Sequence, residues 1–583
     1  MTRTLPVRVP PVAGESLTSW LCAYAHRNQV TWEQMLTAVG LHRRRGDMKR
    51  LGWVARLHPH EVDTLGVATS EDVATLRAMT LERFDDLGMT TGRRPPRPDF
   101  GALRGPARPL RYCPRCLVDT GGRWQLRWSV GWTFACLEHG CLLAEKCPRC
   151  LRRPQRASPF ARVIPDLTTC GQPEPRDGPA SRCGADLRIV PDATAPATAE
   201  VLAAQRIIDH VIAGDTSDFA IYTDCSTTPV HVLADLRALA GRMQAHSKAR
   251  VTAAAADGVP AATSESSPRP VAASIRDETL HIAQGYAAAV GVMASPDLES
   301  GAYKLRSSAP DARRSSRFSP HVIVGRGTTP VLTAVQLAAL GPRLAAADQL
   351  RFRVGTDWPR LPWRPEARLG RVTRALPTLL WPEWAARIDE DKGNQPAVRA
   401  ALSCAVAHVG TDAPTEAIAV LLGIDFDASE LSWHLKRLTS GPHRSRFLRN
   451  VTLLADHVAT HPVVIDYHRR RRLDYSALVL QNEWGHVGHG EDHGSESGPD
   501  VDAARCALFE HLSGLPRSRA PWAVNELDTE DDGDRFTNTP IPISTKSLTR
   551  SAVKFLAVQG IDDEPVTGSP PTSLVEDIGV THA

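Results

Sequence analysis

The chain has 583 residues, 42% hydrophobic and 23% charged, with a formal net charge of +4. That balance suits a globular protein of several domains, and no apolar run reaches the roughly 20 residues that a membrane-spanning helix requires. The small net charge hides an uneven distribution: residues 91–162 hold 15 Lys and Arg against 4 Asp and Glu, a footprint for a polyanion, most often nucleic acid, with a solvated basic face as the plainer alternative.

After the Pro10-Pro11 turn, Ser16 stands where a helix cap belongs, and Leu17, Trp20, Leu21 and Tyr24 recur at helical spacing. The pattern predicts a helix of about a dozen residues starting near Glu15 and Ser16, with its apolar face in a core. A second helix is expected near Trp32 to Val39, followed by a basic turn at Arg43 to Arg45.

Zinc-type ligands dominate the next stretch: Cys113-Pro-Arg-Cys116, nineteen residues, Cys136-x-x-His139, then Cys147-Pro-Arg-Cys150, Cys170 and Cys183. A short knuckle supplies two ligands and a distant pair completes a tetrahedron, so the run offers two four-ligand sets. Both sets are saturated by Cys and His and leave no open position for water, so two structural zinc ions are expected and no metal chemistry. Cys141 is a spare thiol that could replace His139, although the two-residue spacing of Cys136 and His139 makes the tighter ligand turn. Disulfides need an oxidising compartment, and Met-Thr-Arg-Thr-Leu-Pro at the N-terminus has no apolar secretory core, so free thiols and a cytoplasmic location are expected. Between the halves of the first set, Trp124, Leu126 and Trp128 alternate with Gln125 and Arg127, and Gly131 suits a bend. The alternation predicts a strand in a small antiparallel ribbon whose tryptophans form the module's core, with base stacking as the other use.

These residues carry a resemblance. Leu5-Pro6, Gly14-Glu15-Ser16-Leu17-x-Ser19-Trp20-Leu21, Tyr112-Cys-Pro-Arg-Cys116, Arg123-Trp124-x-Leu126, Cys136-Leu-Glu-His139-Gly140-x-x-Leu143 and Cys147-Pro-Arg-Cys150 together resemble the TniQ family, which includes the TnsD-type target selectors of DNA transposons. The resemblance covers roughly the first 190 residues, and the wide spacing of Cys170 and Cys183 departs from the pattern. It implies a bacterial, non-catalytic transposition protein that selects or marks double-stranded DNA. Such a protein recruits an AAA+ ATPase of the TniB or TnsC type and, through it, a transposase; some relatives bridge to an RNA-guided complex instead. Two absences agree with a recruiter: no phosphate loop of the Gly-x-x-x-x-Gly-Lys-Ser/Thr form is present, and no carboxylate grouping stands out as a strand-transfer triad.

Beyond residue 190, helices are expected at Thr198 to Ala213 and Val230 to His246, then a flexible Ala-, Ser- and Pro-rich linker over 251–274 and a second helical domain over 275–515. In that domain Pro414 to Leu422 ends at Gly423, and Ala428 to Leu438 follows after the turn Gly423 to Asp427, which is a little long for the motif. This is the order of a helix-turn-helix, with an ordinary helical hairpin as the alternative. The second helix would offer Ser432, His434, Lys436 and Arg437 to DNA, and Arg469, Arg470, Arg471 and Arg472 would touch phosphates, as would Arg149, Arg152, Arg153 and Arg156 beside the second knuckle. His486, His489 and His493 lie in a soft Gly- and Ser-rich insertion, and residues 516–583 read as a disordered tail. The expected fold is therefore mainly α with small zinc-ribbon or knuckle β modules: a domain over 1–190, a helical connector over 191–250 and a helix-turn-helix-like C-terminal half. The competing functional reading is a protein-protein adaptor without its own DNA preference.

Overall fold

The structure is a computed structural model that describes residues 4–41, 56–87, 111–154, 163–173, 182–189, 196–214, 220–256 apart from 224 and 226, 271–308, 329–362, 366–480, 501–523 and 546–575. The expected basic turn at Arg43 to Arg45, Arg156 and the three histidines at 486, 489 and 493 lie outside these residues. The chain divides into two compact units, Met1–Leu332 and Thr333–Ala583. The division falls well beyond the boundary expected at 275.

The first unit opens with α1 (Leu17–Arg27), whose N-cap Ser16 accepts from the Ser19 amide. Leu17, Trp20, Leu21 and Tyr24 are buried along one face, as the spacing predicts. Next come α2 (Trp32–Ala38), started by a Thr31/Gln34 capping box, then α3 (Pro59–Thr69) and α4 (Val73–Ala78). The cysteine module adds α5 (Pro114–Asp119) and the two-residue strands β1 (Ala135–Cys136) and β2 (Cys141–Leu142), paired antiparallel with Cys136 opposite Cys141. Long helices follow: α6 (Ala199–Ala213), capped by Thr198, α7 (Pro229–Ala256), α8 (Val271–Met293) and α9 (Leu298–Ser308). Helix α8 packs along both α6 and α7.

The alternating tryptophans do not form the expected strand. Leu126–Ser129 is a single 3-10 turn, and Trp124, Leu126, Trp128, Trp132 and Phe134 are all buried. The alternation in burial is real, with Gln125, Arg127 and Ser129 half-buried between buried neighbours, but the backbone meets it with a 3-10 turn instead of an extended strand. Trp124 and Trp128 meet edge to face at 5.8 Å, while Phe134 stacks on Tyr286 of α8 at 5.6 Å. Removing any one of these indoles is expected to cost about 3–5 kcal/mol, so they serve the core and are closed to bases. The expected linker over 251–274 also needs correction at its edges, since α7 continues to Ala256 and α8 begins at Val271.

Helix α10 (Pro330–Leu340) carries the chain into the second unit, which is helical among its described residues. In order it contains α11 (Ala346–Arg351), α12 (Glu366–Ala375), α13 (Pro382–Ile388), α14 (Pro396–His408), α15 (Thr415–Leu422), α16 (Ala428–Ser440), α17 (Arg444–Thr460), α18 (Tyr467–Arg470), α19 (Val501–Ser513) and α20 (Lys546–Val558). Helix α14 is buried from Val398 to His408 and forms the unit's centre, packed by α15, α16 and α17. Gly423 ends α15 in the left-handed conformation (φ 67°), as its position suggested. Helix α20 lies inside the segment expected to be a disordered tail. Its Leu548, Ala552, Phe555 and Leu556 join Leu508, Phe509 and Leu512 of α19 in one apolar cluster. The acidic Pro- and Ser-rich flanks set the composition of that tail and hid the helical period. No described helix is long and apolar enough to cross a membrane.

Candidate metal centres and nucleic-acid interface

The first ligand set is assembled by a helix and a hairpin. Cys113 is the N-cap of α5 with Pro114 at its first position, which suits a residue without an amide hydrogen, and Cys116 follows in the first turn. Cys136 ends β1, and Gly140 (φ 59°) turns the chain so that His139 points back. His139 Nδ1 lies 3.6, 3.3 and 3.5 Å from the sulfurs of Cys113, Cys116 and Cys136, and the sulfurs of Cys116 and Cys136 are 3.5 Å apart. Bonds of about 2.3 Å to sulfur and 2.0 Å to nitrogen give tetrahedron edges of about 3.5–3.8 Å, so the four side chains fit a zinc ion. His139 Nε2 donates to Asp119 Oδ2 at 2.8 Å, the backing interaction that fixes the ring and leaves Nδ1 free to ligate. Cys141 stands at the edge, its sulfur 3.8 Å from Cys113. His139 touches three of the thiols and has a carboxylate behind it, so the structure favours it over Cys141 as the fourth ligand.

The second set answers the difficulty posed by the distance from Cys170 to Cys183. Backbone pairing across Thr169 and Asp186, and across Pro173 and Arg182, zips the two arms together. Cys170 N donates to Ala185 O at 2.9 Å and Cys183 N to Gln172 O at 2.8 Å. The cysteines thus sit on facing arms of one ribbon, with sulfur distances of 3.7 Å from Cys147 to Cys183 and 3.8 Å from Cys150 to Cys170. The knuckle closes with Leu151 at φ 58°, a left-handed conformation costing a non-glycine residue about 1–2 kcal/mol. In the first set two thiols are drawn toward the thiolate, Cys136 by hydrogen bonds from Cys113 and Cys116 and Cys113, to about 7, by the one from Cys116; in the second set it is Cys147, by the hydrogen bond from Cys170. Thiolates are what a metal requires, and both clusters could hold an ion that fixes shape.

The Gly14-Glu15-Ser16 stretch is clasped to Arg123-Trp124. Glu15 is fully buried, accepts from Ser19 Oγ at 2.6 Å and pairs with Arg123 at 2.7 Å. Burial raises its pKa above the usual carboxylate range despite the hydrogen bond from Ser19 and the Arg123 charge. Ser16 N donates to Trp124 O, Trp124 N to Ser19 Oγ and Leu126 N to Gly14 O. At Gly14 (φ 73°) a Cβ would meet Gln125 Oε1 at 2.5 Å, so the sequence needs glycine there. Residues 6–143 match the family model TniQ. The chain carries a TniQ domain. The match covers about a quarter of the chain, and the first ligand set lies wholly inside the matched residues. No curated protein and no solved structure matches the chain.

The arginines beside the TniQ domain divide into two kinds. Arg149 and Arg152 are exposed, and Arg149 also donates to Cys183 O at 2.9 Å. Arg153 instead pairs with Glu145, a carboxylate only 1% exposed, and so serves the fold. Arg115 holds the same place in the first Cys-Pro-Arg-Cys knuckle as Arg149 does in the second, and it too is exposed. Sequence reading missed it, although the repeated motif was the signal.

In the second unit the candidate helix-turn-helix is α15, the turn Gly423 to Asp427, and α16 with Asp427 as N-cap. Ser432 and Lys436 are exposed on α16, together with Ser429 and Trp433, the last 56% exposed and not anticipated. His434 and Arg437 are corrections: His434 is buried, and Arg437 pairs with Asp389 at the end of α13. Both project from the side of α16 that packs on the unit, which a list of polar residues cannot reveal.

The 469–472 arginines are corrected in part. Arg470 is 0% exposed, pairs with Glu564 at 2.9 Å and donates to the carbonyls of Pro565 and Val566. Arg471 donates to Leu376 O at 2.6 Å and Thr378 Oγ1 at 3.1 Å, and burial lowers its pKa to about 10. Guanidinium groups spent on internal acceptors are not offered to phosphates. Arg469 is exposed but donates to Gly560 O at 2.7 Å and pairs with Asp563, leaving Arg472 as the outward member of the four.

Proposed function

We propose that this chain is a non-catalytic target-selection protein for DNA transposition: two structural zinc ions shape its N-terminal module, it binds double-stranded DNA, and it recruits an AAA+ ATPase and through it a transposase. The observation that carries the reading is the TniQ match over residues 6–143. The zinc part is supported by four-ligand sets with tetrahedral spacing, Cys113, Cys116, Cys136 and His139, then Cys147, Cys150, Cys170 and Cys183. The DNA part is supported by the exposed basic residues of the knuckles and by α16, whose Ser429, Ser432, Trp433 and Lys436 face outward. In this reading Arg115, Arg149, Arg152 and Arg472 contact phosphates and the α16 face meets the major groove.

Selection of bound fragments from a random duplex library at moderate salt, using the zinc-loaded full chain, tests the reading. Enrichment of one motif that is lost in Ser432→Ala/Trp433→Ala supports DNA reading by α16. General binding without enrichment removes the selector role. Lys436→Ala should weaken all duplexes alike and reduce the salt slope by about one.

A second reading, a protein-protein adaptor without DNA preference, draws on the same hairpin. Val420 of α15 is 78% exposed, Leu421 is exposed beside it, and Trp433 adds an indole. Two of the four side chains expected to reach DNA from α16 point inward, which leaves fewer polar groups for base edges. Failure of the duplex selection together with protein capture dependent on Val420 and Trp433 would favour it.

A further inference from the structure

We propose that a cleft on the first unit is a docking site for an acidic, apolar peptide segment of a protein partner. The cleft encloses about 420 Å³ between the 3-10 turn Leu81–Leu87, the turn Leu126–Ser129 with the residues after it, and the C-terminal end of α6. That volume lies within the range of about 300–1,000 Å³ usual for ligand pockets. Its apolar walls are Phe84, Val130 and Ile212. Its polar groups are Arg83, Gln125, Arg127, Thr133 and Asp209.

The polar groups are incompletely satisfied among themselves. Arg83 is exposed and its side chain has no partner among the described residues. Arg127 reaches Asp209 only at 3.5 Å through Nη1, and its buried Nε has no hydrogen-bond partner among the described residues. Thr133 is 1% exposed, and its hydroxyl also lacks a partner there. A buried hydroxyl without a partner costs about 1–3 kcal/mol. Asp209 is already engaged, accepting from Gln205 Nε2 at 2.8 Å, and burial raises its pKa. Two guanidinium groups against this one occupied carboxyl leave the cleft short of one negative charge.

The chemistry that fits is a single carboxylate next to a large apolar group. The carboxylate would pair with the exposed Arg83 guanidinium and with the exposed part of the Arg127 guanidinium, and the apolar neighbour would lie against Phe84, Val130 and Ile212. A run of phosphates fits worse, because the Asp209 carboxyl and the apolar walls oppose it. An aspartate or glutamate beside leucine, isoleucine, phenylalanine or tryptophan satisfies both halves. The floor of the cleft is tied to the metal module, since Gln205 Oε1 accepts from the amides of Phe134 and Ala135, at 2.9 and 3.2 Å, beside Cys136.

The site is independent of DNA binding, so a chain that fails the duplex selection can still carry it. The test is selection of a phage-displayed random peptide library on the zinc-loaded full chain. The enriched peptide is then titrated as its fluorescein conjugate against wild type, Arg83→Glu and Ala213→Trp. Arg83 and Ala213 are both exposed, so neither change opens the core, and Ala213→Trp fills the cleft without altering charge. Enrichment of an acidic residue beside an apolar one, with affinity falling at least tenfold in each variant and in the peptide with its carboxylate amidated, is the expected result. Absence of that motif, or equal binding to wild type and both variants, would overturn the proposal. So would a DNA duplex that displaces the peptide and shows the same sensitivity to both substitutions.

Discussion

The cysteine module and the helical second unit meet the same requirement, a packed interior, by opposite means. Among the described residues from 111 to 189 the regular elements are one six-residue helix, one 3-10 turn and two two-residue strands, so few backbone hydrogen bonds are local. The ligand sets, the Glu15 clasp and a cluster of indoles hold the chain. In the second unit, α14 is surrounded by helices that supply their own backbone bonds, and the interior is mainly aliphatic, with Trp381, Trp384, Phe447 and Tyr467 among it. The first design spends sequence on a few irreplaceable side chains, whereas the second spreads its stability over many replaceable ones.

Metal removal should break this comparison most sharply. Structural zinc contributes on the order of 10 kcal/mol to small modules, so chelator under reducing conditions should strip amide protection from residues 111–189 while α14 and α17 keep theirs, as read by hydrogen exchange. Metal analysis should find two zinc ions per chain, and a folded, cysteine-intact chain without zinc would remove the assignment. Next in size is Arg470→Ala, which leaves the Glu564 carboxylate and two carbonyls without their donor and should cost the second unit about 3–5 kcal/mol in urea unfolding.

Acid should also separate the units. His408 is buried and held neutral down to about pH 4, chiefly by burial and then by the Arg351 charge. The unfolded chain takes up that proton near the ordinary imidazole pKa of about 6.5, so stability from this group is full above that value. It falls as pH drops from there toward 4, by up to about 3 kcal/mol, and His408→Gln should flatten this part of a stability profile. Smallest is Asp119→Asn, which keeps a hydrogen bond to His139 but loses the charge. It should weaken metal affinity about 10- to 100-fold in a competition titration and leave the fold intact when zinc is in excess.

What the sequence disclosed followed the range of each interaction. The Ser16 cap, the apolar face of α1, the Thr198 start of α6 and the Gly423 stop of α15 depend on neighbours within a turn, and all four were legible. The metal sets were legible because ligand type and knuckle spacing carry their own signal. The pairing of Cys170 with Cys183 was obscure because backbone pairs of Thr169 with Asp186 and Pro173 with Arg182 make it, not the composition of the sequence between them. The arginines of α18 were misjudged because a run of like charge has the same appearance whether it faces water or a distant partner. For Arg470 that partner, Glu564, is 94 residues away. The Trp124 to Phe134 stretch was misjudged because alternating burial, with Gln125, Arg127 and Ser129 half-buried between buried neighbours, reports exposure and not backbone conformation.

The Glu15 clasp fixes the order in which the protein can mature. Its ion pair joins residues 108 apart, and the Ser19 to Trp124 bond spans 105. A chain made from its N-terminus therefore exposes α1, with its indole and phenol side chains, until Trp124 has left the ribosome. Closure across so long a loop is slow to nucleate, and Cys113, Cys116 and Cys136 emerge on either side of the residues that complete it. Capture of zinc by the nascent chain would shorten that exposed interval, which makes metal supply during synthesis a determinant of how much of the protein escapes aggregation.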